Sequence, residues 1–111
     1  MFFRYYLFMS INPCNIHSQK FSRFLSEPLG NKMLDKLPGI GRKTFKKIQK
    51  TKKITKIQDL LEEFIEKFDS NHELFRLWLM KDFTIPEYRA TECVLALMNY
   101  IEQAKKYHWP L

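Results

Sequence analysis

The segment Leu37-Pro38-Gly39-Ile40-Gly41 constrains the fold of this chain most strongly, because it joins a tight turn to the start of a basic helix. Pro38 has a fixed φ and no N–H group. Gly39 and Gly41 permit φ > 0 and remove the Cβ atoms from the turn. Ile40, which is apolar, is expected to point inward. The turn is therefore predicted to expose main chain that a partner can approach closely.

A basic amphipathic helix is predicted to follow, from about residue 41 to residue 50. Phe45 and Ile48 recur there at helical spacing. The first amides of a helix have no partner within it, and the helix dipole is positive at this end. The helix start is therefore predicted to bind an anion. Four basic residues add positive charge near it: Arg42, Lys43, Lys46 and Lys47.

Charge is distributed unevenly along the 111 residues, whose net charge is +7. Residues 31–56 contain ten basic residues and one acid, which gives +9, whereas residues 57–82 carry a net −4. This segregation predicts one face for a polyanion and an opposite face for other contacts.

The helical periodicity predicts an all-α fold, a small single domain of about five to six helices over residues 15–106. Ser18 is expected to cap the first helix, and Pro28 to follow its end. A short helix is expected near residues 33–37. Further helices are predicted after Thr55, after Ser70 or Asn71, and from the segment 84–86, which contains a proline.

The two ends of the chain are predicted to lie outside this domain. Residues 1–14 are rich in aromatic residues and are interpreted as an extension that takes no part in the fold. The alternatives are a membrane-adhering or partner-binding extension, or upstream sequence wrongly included, with Met9 as the start. The tail, residues 107–111, is expected to fray.

No metal site or cofactor is expected. Cys14 and Cys93 lie far apart, and no Cys/His cluster accompanies them. A reduced intracellular compartment is the simpler interpretation. No run approaches the roughly 20 apolar residues that a membrane span requires.

The turn and the basic helix resemble a helix-hairpin-helix motif, in which hairpin amides hold a DNA phosphate without reading bases. The same stretch also resembles the hairpin of endonuclease-III-type DNA glycosylases, in which a lysine at the position of Lys43 attacks the sugar. The chain is short for that two-domain fold and lacks its V-D-T-H segment and cysteine cluster. The glycosylase therefore remains the alternative. A third class, a helical module for protein interactions, predicts no salt-dependent DNA binding.

Landmarks over residues 18–104 resemble the barrier-to-autointegration factor family more specifically. The matching residues are Ser18-Gln19-Lys20, Phe24, Glu27-Pro28-Leu29-Gly30, Lys32, Leu37, Gly39-Ile40-Gly41, Lys46-Lys47, Leu74-Phe75-Arg76, Trp78-Leu79 and Cys93.

The resemblance implies a non-enzymatic homodimer that binds and bridges double-stranded DNA without sequence preference. It also implies chromatin compaction, LEM-domain and lamin partners, and a role in nuclear envelope assembly. The implied location is the nucleus, at chromatin and the nuclear envelope, and also the cytoplasm.

The residues matched to the family's DNA contacts are Ser18, Gln19, Lys20, Gly39, Ile40, Gly41 and Lys47. Arg42 and Lys43 replace an acidic and an apolar residue of the family pattern, so tighter and more salt-sensitive binding is expected. Ser18 matches the position where phosphorylation switches DNA binding off.

The dimer or partner interface is predicted at Leu74, Phe75, Trp78 and Leu79. Three departures from the family lie in this half of the chain. Residues 50–71 form a longer segment, Glu62 replaces a small residue, and the last helix lacks the family's aromatic-cysteine pattern at its end. These departures concern LEM-domain and lamin recognition rather than DNA binding.

Overall fold

A computed structural model of the protein describes residues 18–111, which form five α-helices. They are α1 (Gln19–Leu25), α2 (Arg42–Lys52), α3 (Ile57–Glu62), α4 (His72–Phe83) and α5 (Glu87–Tyr107). A 3₁₀-helix, Leu34–Lys36, precedes α2, and α3 continues as a π-helix, Glu63–Lys67.

Within the described residues the backbone forms no strand, and the one isolated β-bridge joins Met33 to Lys56. The prediction of an all-α fold is confirmed. The extension predicted for residues 1–14 lies outside the described residues.

The helix starts show why these segments fold as they do. The Ser18 Oγ accepts a hydrogen bond of 3.1 Å from the Phe21 N–H, as the sequence predicts. Asn71 Oδ1 likewise accepts from the Leu74 N–H at 3.1 Å. The start of α3 differs from the prediction, because Lys56 and not Thr55 is its N-cap. Helix α2 runs two residues further than expected, to Lys52, and its C-cap residue, Lys53, has a left-handed backbone.

Helix α5 is the centre of the domain. Eight consecutive residues, 90–97, are buried, so the helix is covered around its whole circumference. Helices α1 and α4 pack against it. The core that surrounds it includes Phe24 from α1, Ile40 from the turn and Phe75 from α4.

The C-terminal tail packs on the domain, whereas the sequence predicts fraying. The Trp109 N–H donates to the Ala104 carbonyl at 2.8 Å, and its ring lies 5.7 Å from the Tyr100 ring. The Tyr100 hydroxyl donates a long bond, 3.4 Å, to the Pro110 carbonyl. Packing between the Trp109 and Tyr100 rings therefore holds the tail, residues 107–111, against the domain.

Candidate nucleic-acid interface

The turn between the 3₁₀-helix and α2, residues 37–41, is called the hairpin below. It is closed by a hydrogen bond from the Ile40 N–H to the Leu37 carbonyl, at 3.0 Å. The Ile40 side chain is fully buried, as predicted. The hairpin therefore has an apolar anchor in the core.

The two hairpin glycines have different conformations. Gly39 has a φ of +88°, in the region that favours glycine, and is buried. Gly41 is exposed and has an extended backbone, with φ −92° and ψ −177°. Of the two positions at which the sequence suggests φ > 0, only Gly39 has it.

Gly39 packs directly against α5. A Cβ atom at this position would lie 2.9 Å from the Cys93 N and 3.1 Å from the Cys93 Cβ, and would overlap the Arg89 carbonyl oxygen. Real Cβ atoms do not approach a backbone so closely. Gly39 is therefore needed for the close approach of the hairpin to α5.

Gly41, by contrast, opens onto free space. Within the part of the chain that the structure describes, a Cβ atom there would have no neighbour within 4 Å. Gly41 is the N-cap of α2 and has no side chain to accept hydrogen bonds from the first amides of the helix. The start of α2 therefore combines an accessible main chain, uncapped donors and the positive end of the helix dipole, which together suit an anion.

Lys20 joins the start of α1 to the hairpin. Its Nζ donates a hydrogen bond of 2.8 Å to the Ile40 carbonyl. Partial burial lowers the pKa of Lys20, while the carboxylates of Glu92 and Asp35 oppose that change. Ser18 and Gln19 directly precede Lys20 in the chain. The structure thus brings the residues predicted from the first helix beside those predicted from the hairpin.

The basic residues of α2 take different positions. Arg42, Lys43 and Lys46 are exposed near the start of the helix. Lys47 is exposed too, but its Nζ donates a long bond, 3.4 Å, to the Phe83 carbonyl at the end of α4. Its charge therefore also complements the negative end of the α4 dipole. Lys43, on the first turn, is exposed to solvent and therefore lacks the hydrophobic pocket that is one means of activating a Schiff-base lysine.

Arg89 and Glu92 are charged residues that lie beside the hairpin, and neither is among the site residues predicted from the sequence. Glu92 is 4% exposed, and its Oε1 lies 3.9 Å from the Arg89 Nη1. Burial raises the pKa of Glu92, although Arg89 and Lys20 lower it. Their only signal in the sequence is an acid within the apolar stripe of the last helix, about 50 residues beyond the hairpin.

The predicted interface residues of α4 lie mostly inside the subunit. Phe75 and Leu79 are fully buried in the subunit's own core, so neither presents a surface to a partner, and the prediction needs correction at both positions. Trp78 is partly buried against the Phe75 and Phe83 rings. Leu74 is 54% exposed. Leu77, which is not among the predicted residues, is 47% exposed, so Leu74 and Leu77 are the exposed large apolar side chains of α4.

The barrier to autointegration factor family matches residues 15–104 of the 111. This chain belongs to that family. The match includes the capped start of α1, the hairpin and nearly all of α5. No curated protein sequence matches the chain closely enough to be counted as a relative.

Barrier-to-autointegration factors are nuclear, DNA-binding chromatin proteins and are not enzymes. The glycosylase alternative, with Lys43 as nucleophile, therefore has no support from the family. Within residues 18–111, each helix is too short or too polar to cross a bilayer.

Proposed function

We propose that this protein binds double-stranded DNA without sequence preference, by holding a backbone phosphate at the start of α2. The observation that supports this most directly is the open Gly41 N-cap, where a Cβ atom would meet no other atom of residues 18–111 within 4 Å. Main-chain donors and lysine ammonium groups recognise the phosphate backbone, which is the same for every sequence. Lys20 places α1 beside this point, so a second element faces the same duplex.

The protein acts, on this proposal, as a homodimer that bridges two duplexes and compacts chromatin. Each subunit supplies one hairpin, so a symmetric pair has two DNA sites. Family membership and the exposed apolar side of α4, Leu74 and Leu77, support an interface of this kind. LEM-domain and lamin partners, and a role in nuclear envelope assembly, are proposed with the support of the same family membership.

Phosphorylation of Ser18 is proposed to weaken DNA binding. The Ser18 Oγ already caps α1 and lies in the element that Lys20 holds beside the hairpin. A phosphate there would add about −1.5 to −2 charges next to the DNA backbone and repel it.

The proposal is tested by Gly41→Asp, with Gly41→Ser as the matched control. Both side chains cap a helix well, so α2 should remain folded. Serine competes with phosphate for the amides, and aspartate also repels it. Loss of one charge-assisted contact costs about 1.5–3 kcal/mol, which corresponds to a loss of roughly 10- to 150-fold in affinity for Gly41→Asp.

Affinity is measured by fluorescence anisotropy with two unrelated duplexes, and folding by thermal melting. The expected order of affinity is wild type, then Gly41→Ser, then Gly41→Asp, on both duplexes. A folded Gly41→Asp protein that binds as tightly as the wild type would refute the role of the α2 start.

A further inference from the structure

An open groove of about 570 Å³ lies between α1 and the 3₁₀-helix. Gln19, Lys20 and Arg23 line it from α1, and Lys32, Asp35 and Lys36 line it from the opposite side. Gln19 and Lys20 also belong to the predicted DNA face, so the groove and that face are continuous and share these two residues.

The charge of this groove is concentrated in two residues. Lys32 is paired with Glu27, with 2.9 Å between Nζ and Oε2, and Lys20 is bonded to the hairpin. Among the described residues, Arg23 and Lys36 have no ion-pair partner within 4 Å, and both are exposed. Asp35, half-buried, is the one lining acid that remains outside an ion pair.

The spacing along α1 suits a polyanion with a regular repeat. Arg23 lies four residues after Gln19 on the same side of the helix, about 6 Å further along its axis. One DNA strand carries a charge about every 3.4 Å along the duplex axis. A strand that passes Gln19 and continues along α1 therefore brings a phosphate within reach of the long Arg23 side chain, with Lys36 opposite.

We propose that Arg23 and Lys36 extend the DNA-binding surface along this groove and contact backbone phosphates beyond the hairpin. This inference rests on the proposed DNA binding and adds two contacts for each subunit. It also assigns a ligand to two basic residues that the DNA-contact prediction did not include.

Charge and surface chemistry favour DNA over an acidic peptide in this groove. Peptide recognition usually depends on apolar anchors that enter a pocket. The aromatic residue at the base of the groove, Phe24, is only 2% exposed and offers little apolar contact. The two exposed cations outside ion pairs, Arg23 and Lys36, suit a uniform phosphate backbone.

The salt dependence of DNA binding tests the proposal. Log affinity is measured against log salt concentration for the wild type and for Arg23→Ala/Lys36→Ala. Each lost phosphate contact reduces the steepness by about 0.9, so the double variant should be shallower by up to about 1.8. Thermal melting checks that the variant is folded.

The matched control is Lys105→Ala/Lys106→Ala, which removes the same charge near the end of α5. Neither lysine lines the groove. They lie 16 and 17 residues beyond Arg89, about 24–26 Å along the helix from the hairpin contact. The control is expected to keep the wild-type slope.

Equal slopes for the groove variant and the wild type would overturn the proposal and leave the groove to another partner, such as an acidic peptide. Equal reductions in the groove variant and the control would also overturn it, since bulk charge would then explain both. Failure of the proposed function looks different, because the wild type itself would not bind duplexes at low salt.

Discussion

Replacing Gly39 by alanine should destabilise the fold far more than the same replacement of Gly41. At Gly39 the new Cβ atom would lie 2.9 Å from the Cys93 N and would overlap the Arg89 carbonyl oxygen. Overpacking of this kind costs about 1–3 kcal/mol. The φ of +88° adds about 1–2 kcal/mol for a residue with a Cβ. The expected loss in the free energy of unfolding is therefore about 2–5 kcal/mol.

At Gly41 two small effects oppose each other. Alanine is a poorer N-cap than glycine, but it reduces the conformational entropy of the unfolded chain by about 0.4–1 kcal/mol. The extended backbone, with φ −92°, accepts any residue, and the Cβ atom would meet none of the described residues within 4 Å. The net change in the free energy of unfolding is expected to be below about 1 kcal/mol.

The two variants are compared by thermal melting followed by circular dichroism. In a domain of this size, 1 kcal/mol shifts Tm by about 4–8 °C, so Gly39→Ala should lower Tm by at least about 8 °C. Gly41→Ala should stay within a few degrees of the wild type. Equal Tm values for the two variants would refute the claim that Gly39 is required for packing against α5.

Three further predictions concern other parts of the domain. Ser18→Asp should retain the cap of α1 but lower DNA affinity, whereas Ser18→Asn, which caps equally well without charge, should bind nearly as the wild type does in an anisotropy titration. Trp109→Ala should lower the free energy of unfolding by about 1–3 kcal/mol in urea, because its ring packs on Tyr100; no loss would show that the tail contributes nothing. Glu92→Gln should raise the free energy of unfolding at pH 7, because burial raises the pKa of the Glu92 carboxyl and its ionised form therefore opposes folding. The gain in the free energy of unfolding should shrink as the pH falls below the pKa that Glu92 has in the folded state. It should vanish below 4.5, the pKa of Glu92 in the unfolded chain. A gain that does not change with pH would contradict this prediction.

Local chemistry made much of this fold predictable from sequence. The caps at Ser18 and Asn71 depend on side chains that bond amides three residues later, and both are present. The inward direction of Ile40 follows from its apolar side chain, which stands between two glycines. These features depend only on neighbours in the chain, so a sequence pattern suffices to find them.

Features that depend on distant segments were not predictable in the same way. The sequence assigns Gly39 and Gly41 the same freedom, but only the position of α5 distinguishes them. Helical spacing identified the apolar stripe that contains Phe75 and Leu79, but not whether the subunit's own core covers it. The tail was misjudged because its packing depends on a tyrosine nine residues earlier on α5.

The hairpin is held from two directions, which has a consequence for binding. Gly39 fixes it against α5 on one side, and the Lys20 ammonium group fixes the Ile40 carbonyl from α1 on the other. The amides at the start of α2 directly follow this fixed turn, so their direction is set before any ligand arrives. A preorganised donor group loses little conformational freedom on binding. Lys20 therefore has two roles in the proposed interaction, as a positive charge and as a support for the hairpin, and its removal should weaken binding more than removal of the exposed Lys46.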